Sequence, residues 1–183
     1  IRDKLVTGVQ TCALPISTAG AKLKGATKII VVDNITKRLE VSKQLGADIV
    51  IDYSKTDPIE EIMKHTDGKG VDVAIEALGT QKTFESCLRA LKPGGILSSL
   101  GVYSGKLSLP VDAFAAGLGD HKIVTTLCPG GKERMRRLIS VIRSGRVNLT
   151  NLVTHRFSLD QIEDAYELFS NQRDGVIKVA ITP

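Results

Sequence analysis

Short apolar runs recur about every twenty residues through the first hundred positions, and this spacing constrains the fold more than any other feature. The runs occupy residues 28–32, 48–51, 71–75 and 96–100, and most are apolar on both faces, as strands between two helix layers must be. Helical patterns separate them, and residues 57–60 (DPIE) combine a capping Asp, a Pro and a Glu. Such alternation requires parallel pairing through right-handed crossovers. The sequence therefore predicts a doubly wound parallel α/β sheet.

The chain divides into three parts. Residues 1–16 resemble, when back-translated, an adapter oligonucleotide that is ligated to DNA before sequencing, and residues 6–16 (VTGVQTCALPI) fit neither a helix nor a clean strand. We interpret this prefix as foreign to the protein and exclude it from the fold. Residues 17–150 carry the alternating pattern. A helix capped at Ser158 and a strand at 176–181 indicate that residues 151–183 return to a different domain.

The composition excludes several classes of function. The chain has 42% hydrophobic and 4% aromatic residues without Trp, so it lacks the stacking platform of a single-strand nucleic-acid binder. The basic run at 132–137 shares its helix with an apolar stripe, which indicates charges that face water. The stripe consists of Met135, Leu138, Ile139 and Ile142. No apolar run is long enough to cross a bilayer. Cys87 and Cys128 lack disulfide or metal-ligand spacing, so we expect a cytoplasmic protein. From the composition and the run lengths together we expect neither nucleic-acid nor membrane partners.

Asp33, at the end of the first apolar run, is the sharpest chemical signal. An acid at the carboxyl end of a strand in this kind of sheet accepts hydrogen bonds from the adenosine ribose of a dinucleotide. Its charge repels a 2′-phosphate, which favours NAD over NADP. Lys37 and Arg38 weaken that preference, because cations at this distance suit a phosphate. The alternative is that Asp33 or Asn34 merely caps the following helix.

A G-x-G-x-x-G turn is expected about twenty residues before Asp33, where it would bind the pyrophosphate. Counting back reaches Ala13, inside the prefix, so the loop is absent from this sequence. We interpret STAGAKLKGA (17–26) as the body of the helix that follows such a loop. Without the loop, the same local pattern also fits methyltransferases that bind S-adenosylmethionine. The residues alone leave both functions open.

Several segments, in their order and spacing, resemble the zinc-dependent medium-chain alcohol dehydrogenases. They are IIVVDNITKRLEVSKQLGADIVIDY, GVDVAIEALGT, LKPGGILSSLGVYSGK, LCPGGKERMRRLI, LVTHRFSLDQIEDAYELF and GVIKVAITP, and the resemblance spans residues 17–183. LCPGGKERMRRLI and THRF are most similar to the branch that acts on secondary alcohols. The resemblance implies a Rossmann fold and hydride transfer between an alcohol, or its ketone, and NAD. A zinc-free quinone or enoyl reductase of the same superfamily is a nearer alternative than the methyltransferase.

The resemblance also implies roles for individual residues. Asp33 would bind the adenosine ribose with Arg38 beside it, and Lys178 would meet the pyrophosphate. Two segments that follow strands would line the nicotinamide half. These are Ala77, Leu78 and Gly79, and Leu100, Gly101 and Val102. Leu127 would border the cofactor, and Cys128 would border the substrate pocket.

The family's catalytic zinc acts as a Lewis acid on the alcohol oxygen, and its ligands would come from an upstream domain. His65, His121 and His155 lie far apart in the sequence, so we expect them to be structural or solvent-exposed. The chain by itself is expected to lack catalysis. The intact enzyme is expected to be a homo-oligomer, either a dimer or a tetramer.

The 183-residue chain is expected to fold poorly. In the strand order 3-2-1-4-5-6 the missing first strand lies at the centre of the sheet, so two strands lose their partner. Each buried backbone group left unpaired costs roughly 1–3 kcal/mol, against a total stability of roughly 5–15 kcal/mol for a domain. Circular dichroism should therefore show no cooperative thermal transition, and calorimetry should show no micromolar NAD binding. A sharp transition together with such binding would contradict this prediction.

Overall fold

The computed structural model describes residues 13–126 and 130–183, in which helices and strands alternate. The helices are α1 (Ala13–Leu23), α2 (Thr36–Gln44), α3 (Pro58–His65), α4 (Gln81–Ala90), α5 (Lys132–Arg143) and α6 (Ile162–Ser170). The strands are β1 (Ile30–Asp33), β2 (Ile49–Asp52), β3 (Val71–Glu76), β4 (Leu91–Ser99), β5 (Lys122–Thr125), β6 (Val153–Ser158) and β7 (Lys178–Thr182). None of the described helices has the length and apolar character that crossing a lipid bilayer requires.

The described strands form three separate parallel sheets. Strand β1 pairs with β2, β6 pairs with β7, and the remaining sheet has the order β3-β4-β5. The predicted parallel α/β architecture is thus confirmed. Among the described residues no strand pairs with the second edge of β1 or of β3. We would interpret residues 6–11 as an unrelated peptide if they lay along these strand edges, but they lie outside the described residues.

The chain forms two compact units, which we describe separately. The first unit contains the described residues up to Asp52 together with Gly130–Pro183, and the second begins at Tyr53. One core of the first unit joins β1 to α2 through Ile29, Val31 and Leu39. Another joins α2 to the C-terminal segment through Val41, Leu152 and Ile177.

The second unit buries helix α4 against β3 and β4. Its core consists of Ala74, Phe84, Leu88, Leu91, Leu97 and Ala113. Leu91 belongs to β4, which therefore begins five residues before the predicted run at 96. The register shifts between Val71 and Val73, so that the extra residues of β4 are accommodated. The described residues cover one face of β3 and leave the other open, because Ala74 and Glu76 are buried while Val73 and Ile75 are exposed. The prediction that such strands are covered on both faces is therefore wrong for β3.

The end of the prefix departs from its expected irregular conformation. Ala13–Ile16, the part of it that is described, forms the first turn of α1. Pro15 is tolerated there because the first N–H groups of a helix have no acceptor within the helix. Leu14 packs against the core formed by Ile29, Val31 and Leu39. The interpretation that residues 6–16 fit no helix is thus wrong for their last four positions.

Helix α5 is amphipathic, as its sequence predicts, but its apolar stripe is not buried. Met135, Leu138, Ile139 and Ile142 are each 40–59% exposed. On the charged face, Glu133 forms ion pairs with Arg136 at 2.7 Å and with Arg137 at 3.0 Å. Exposed ion pairs of this kind add little stability. Because the apolar stripe is also exposed, few interactions within the described residues hold α5 in place.

Candidate functional site

Asp33 is the last residue of strand β1, and its carboxylate binds the backbone that follows it. Its Oδ1 accepts hydrogen bonds from the backbone N–H groups of Asn34 at 2.7 Å and Ile35 at 2.9 Å. Its Oδ2 lies 3.4 Å from Nη1 of Arg38, and both side chains are about nine-tenths buried. The N-cap of α2 is Ile35, without a side-chain capping bond, so neither Asp33 nor Asn34 occupies the cap position. The carboxylate closes the turn that leads into α2 and keeps Oδ2 directed to Arg38.

Arg38 has two nitrogen atoms that no acceptor among the described residues satisfies. Its Nε and Nη2 atoms are buried without a hydrogen-bond partner, while Nη1 alone reaches Asp33. Buried guanidinium groups normally use most of their five N–H donors, because unsatisfied donors destabilise the folded state. A polar ligand beside Asp33 with acceptor oxygens would supply the missing partners. This pair is therefore the strongest indication of a ligand site in the first unit.

Lys178 lies in the same unit, at the start of β7, and its side chain is exposed. The preceding residue, Ile177, is fully buried and packs with Val41 of α2. Gly175 lies against Lys37 at the start of α2, since a Cβ there would be 3.4 Å from the Lys37 Cγ. The C-terminal segment is thus anchored to the helix that follows Asp33. Within the described residues, no hydrogen bond or ion pair joins the side chains of Lys178 and Asp33.

In the second unit, the segments after β3 and β4 touch each other. We call residues 77–79 the first loop and residues 100–102 the second loop. Gly79 has a positive φ of 89°, and a side chain there would overlap the backbone of Val102. A side chain at Gly101 would overlap the backbone of Gly79. Glycine is required at both positions because the two loops approach each other, which is a more direct reason than an approach to a ligand.

Apolar side chains on these loops face solvent. Leu78 is 39% exposed, Leu100 is 43% exposed and Val102 is 60% exposed. Adjoining loops at the carboxyl ends of neighbouring parallel strands are the usual place for a cofactor in this type of sheet. The six residues predicted to line the nicotinamide half are therefore brought together as two adjoining segments with an exposed apolar surface.

Glu76 is the functional candidate that sequence reasoning missed. It is the last residue of β3 and only 1% exposed, and its carboxylate accepts four hydrogen bonds. Oε1 accepts from Leu78 N, Gly79 N and Thr83 Oγ1, each at 2.8 Å, and Oε2 accepts from the Tyr103 hydroxyl at 2.7 Å. The available signal was an acid at the last position of the strand VDVAIE, directly before the first loop.

Tyr103 connects Glu76 to the end of β4. Its hydroxyl lies 2.8 Å from Ser99 Oγ, and its ring packs edge-on against Phe84 with centroids 6.0 Å apart. Burial is the largest influence and raises the pKa of the Tyr103 phenol, the hydrogen bond with Ser99 lowers it by less, and the hydrogen bond to the Glu76 carboxylate raises it again. The phenol therefore keeps its proton at neutral pH and donates a hydrogen bond to Glu76.

Leu127 and Cys128 lie outside the described residues, so their predicted roles stay predictions. Residues 13–126 and 130–183 contain no group of three His, Cys, Asp or Glu side chains that could hold a metal ion. His155 contacts Asp174 Oδ2 at 3.1 Å and Thr154 Oγ1 at 2.9 Å, a pairing on the surface of the first unit. The described residues do not fit a zinc ion.

A sequence model described as a zinc-binding dehydrogenase matches residues 16–144. The chain belongs to the zinc-binding dehydrogenase family. An alcohol dehydrogenase from Cupriavidus necator is 64% identical over 167 residues, which are 91% of this chain and 46% of that protein. An NADP-dependent isopropanol dehydrogenase from Thermoanaerobacter brockii is 38% identical over 170 residues, 91% of this chain and 48% of that protein.

Solved structures agree with this assignment. An oxidoreductase of unknown specificity from Escherichia coli superposes with a TM-score of 0.84 at 28% identity, covering 94% of this chain and 49% of that chain. The resemblance to zinc-dependent alcohol dehydrogenases is thus confirmed at the level of the family, and the methyltransferase alternative finds no support. The chain spans about half the length of the curated relatives it matches.

Cys87 is expected to resist alkylation. Burial, with a smaller effect of the Glu76 charge, raises its pKa from 9.0 to about 12, so the thiolate fraction falls roughly a thousandfold. We suggest a chimera in which residues 17–183 follow the N-terminal portion of the Cupriavidus necator relative, hereafter the chimera. At pH 8, iodoacetamide should modify Cys87 about a thousand times more slowly in the native chimera than in urea, as measured by peptide mass spectrometry. Equal rates in a chimera that unfolds cooperatively would contradict the burial of this thiol.

Proposed function

We propose that this chain is the cofactor-binding portion of an NAD-dependent, zinc-assisted dehydrogenase that oxidises a secondary alcohol or reduces its ketone. The observation that carries the proposal is the 64% identity over 167 residues to an alcohol dehydrogenase. More distant relatives, two isopropanol dehydrogenases at 35% and 38% identity, support a secondary alcohol as substrate. In this proposal residues 17–150 are the dinucleotide-binding domain and residues 151–183 return to the catalytic domain.

The proposed preference for NAD rests on Asp33. Its Oδ2 is engaged only at 3.4 Å by Arg38, so it retains acceptor capacity for the hydroxyl groups of a ribose. A 2′-phosphate at that place would bring two negative charges together, which disfavours NADP. The two Arg38 nitrogen atoms without a partner among the described residues favour a ligand rich in oxygen atoms but do not decide between hydroxyl and phosphate. The proposed preference for NAD over NADP therefore depends on the charge of Asp33, even though the isopropanol dehydrogenases are named as NADP-dependent.

The first and second loops of the second unit would bind the nicotinamide half of the cofactor. When bound, NAD accepts the hydride from the alcohol carbon. The chain's own residues orient the cofactor and exclude water: Leu78, Leu100 and Val102 offer an apolar surface, while Gly79 and Gly101 let the loops adjoin. In the first unit, Lys178 would contribute a positive charge to the pyrophosphate. Leu127 would extend the cofactor surface, and Cys128 would border the substrate.

Zinc would be held outside the described residues, since these contain no suitable group of ligands. The chain covers 46% of its Cupriavidus necator relative, which leaves room for an upstream domain that holds the metal and completes the active site. We therefore derive no step at the metal from this chain. A cytoplasmic homo-oligomer, a dimer or tetramer, completes the proposal.

Replacing Asp33 with Ser in the chimera tests the cofactor assignment. Removing the charge should lower the ratio of kcat/KM for NAD to that for NADP by roughly 10- to 100-fold, which corresponds to about 1.4–2.8 kcal/mol of discrimination. Asp52→Ser is the matched control, because Asp52 ends β2 directly opposite Asp33 in the strand pairing. The control should leave the ratio within about twofold. An unchanged ratio in Asp33→Ser would reject the ribose role.

A further inference from the structure

We propose that Glu76 is a positioning residue that joins the first and second loops into one rigid platform for the nicotinamide half of the cofactor. The proposal rests on the proposed function, because it explains how the same two loops are held in place. Glu76 itself is buried beneath them, so it acts through the loops and has no contact with the reacting atoms.

On one side, Glu76 determines the conformation of the first loop. Two consecutive backbone N–H groups, of Leu78 and Gly79, converge on Oε1, and the hydroxyl of Thr83 from α4 binds the same oxygen. Two amides that point to one acceptor require a tight turn, and this turn contains the positive φ of Gly79. The side chain of Glu76 therefore stabilises a backbone conformation that only glycine adopts at low cost.

On the other side, Glu76 reaches the second loop. Its backbone carbonyl accepts from Leu100 N at 2.7 Å, and its Oε2 accepts from Tyr103, the residue that directly follows the loop. The Tyr103 hydroxyl also contacts Ser99, the residue that precedes Leu100. Glu76 and Tyr103 thus hold both ends of the second loop, while the Gly79–Gly101 approach leaves no space between the loops.

The donors around Glu76 explain why a carboxylate occupies this place. A carboxylate accepts hydrogen bonds with both oxygens and donates none, and here all four partners are donors. A buried carboxylate is tolerated only when its acceptors are satisfied, and here both oxygens accept. Losing the hydrogen bond from Tyr103 would release the C-terminal end of the second loop, while Leu100 N stays bonded to the Glu76 carbonyl and the hydrogen bonds of the first loop stay in place.

Two single substitutions separate positioning from general stability. Tyr103→Phe and Thr83→Val each remove one hydroxyl donor to Glu76, but only Tyr103 connects to the second loop. In the chimera, Tyr103→Phe should raise the dissociation constant of NADH and the KM for NAD about tenfold with little change in kcat, whereas Thr83→Val should raise them less than twofold. Equal effects of the two variants, or effects that follow the loss in Tm, would overturn the proposal.

Substitution of Glu76 itself provides a second comparison. Glu76→Gln keeps the shape and the acceptor oxygen for the first loop, and its amide group can donate to Tyr103. It should therefore bind NADH within about threefold of the unsubstituted chimera, while Glu76→Ala should lose at least tenfold. Rescue by Gln is the expected result, and failure of Gln and Ala alike would show that geometry is not what Glu76 supplies.

Hydrogen exchange distinguishes failure of this proposal from failure of the proposed function. Peptides that cover residues 100–103 should exchange at least tenfold faster in Tyr103→Phe than in Thr83→Val without any cofactor. If the chimera does not bind NADH at all, the proposed function is wrong, and the exchange rates still decide whether Glu76 joins the loops. Unchanged exchange in Tyr103→Phe would overturn the platform even if NADH binds.

Discussion

Parallel strand pairing determines the positions of both candidate binding regions, the one around Asp33 and the one around Glu76. In the first unit Asp33 pairs with Asp52, and in the second unit Glu76 pairs with Ser99. Because paired strands run in the same direction, the segments that follow them leave each sheet at the same edge and begin at the same level. A slip of one residue would turn Glu76 to the opposite face of β3 and remove it from beneath the loops. Backbone hydrogen bonds thus determine where the side chains of the site can act.

Glu76, at the end of β3, and Arg38, in α2 beside the end of β1, differ in how their hydrogen-bonding capacity is used. Glu76 accepts four bonds from its own unit, so it fits a structural element that is complete before any ligand arrives. Within the described residues, Arg38 uses one of its nitrogen atoms and leaves two buried without a partner. A satisfied group rigidifies its surroundings, whereas an unsatisfied one gains free energy when a ligand supplies acceptors. The same fold therefore offers a preformed surface in one unit and an unfilled polar position in the other.

Local sequence signals predicted the elements well, because strand periodicity and helix caps depend on neighbouring residues. Asp57 caps α3 by accepting from Ile59 N and Glu60 N, and Ser158 forms a capping box with Gln161, as their sequences predict. Glu76 could not be recognised in this way, because its partners Thr83 and Tyr103 meet it only through tertiary packing. The exposure of Ile142 and its apolar neighbours on α5 is equally invisible to periodicity, which indicates a face but not what covers it. The positions of the proposed cofactor residues at the strand ends could be predicted from the sequence, whereas the hydrogen bonds of Glu76 beneath the loops could not.

The first unit is built from both ends of the chain, and this arrangement has a consequence for synthesis on the ribosome. Val41 of α2 completes its core only when Leu152 and Ile177 arrive, more than a hundred residues later. The core of the second unit, from Ala74 to Ala113, is continuous in sequence and is complete much earlier. Domains generally fold as units during translation, and contacts between distant residues form slowly. The surface of α2 around Val41 must therefore stay exposed until the last residues of the chain are made, while the core of the second unit is already formed.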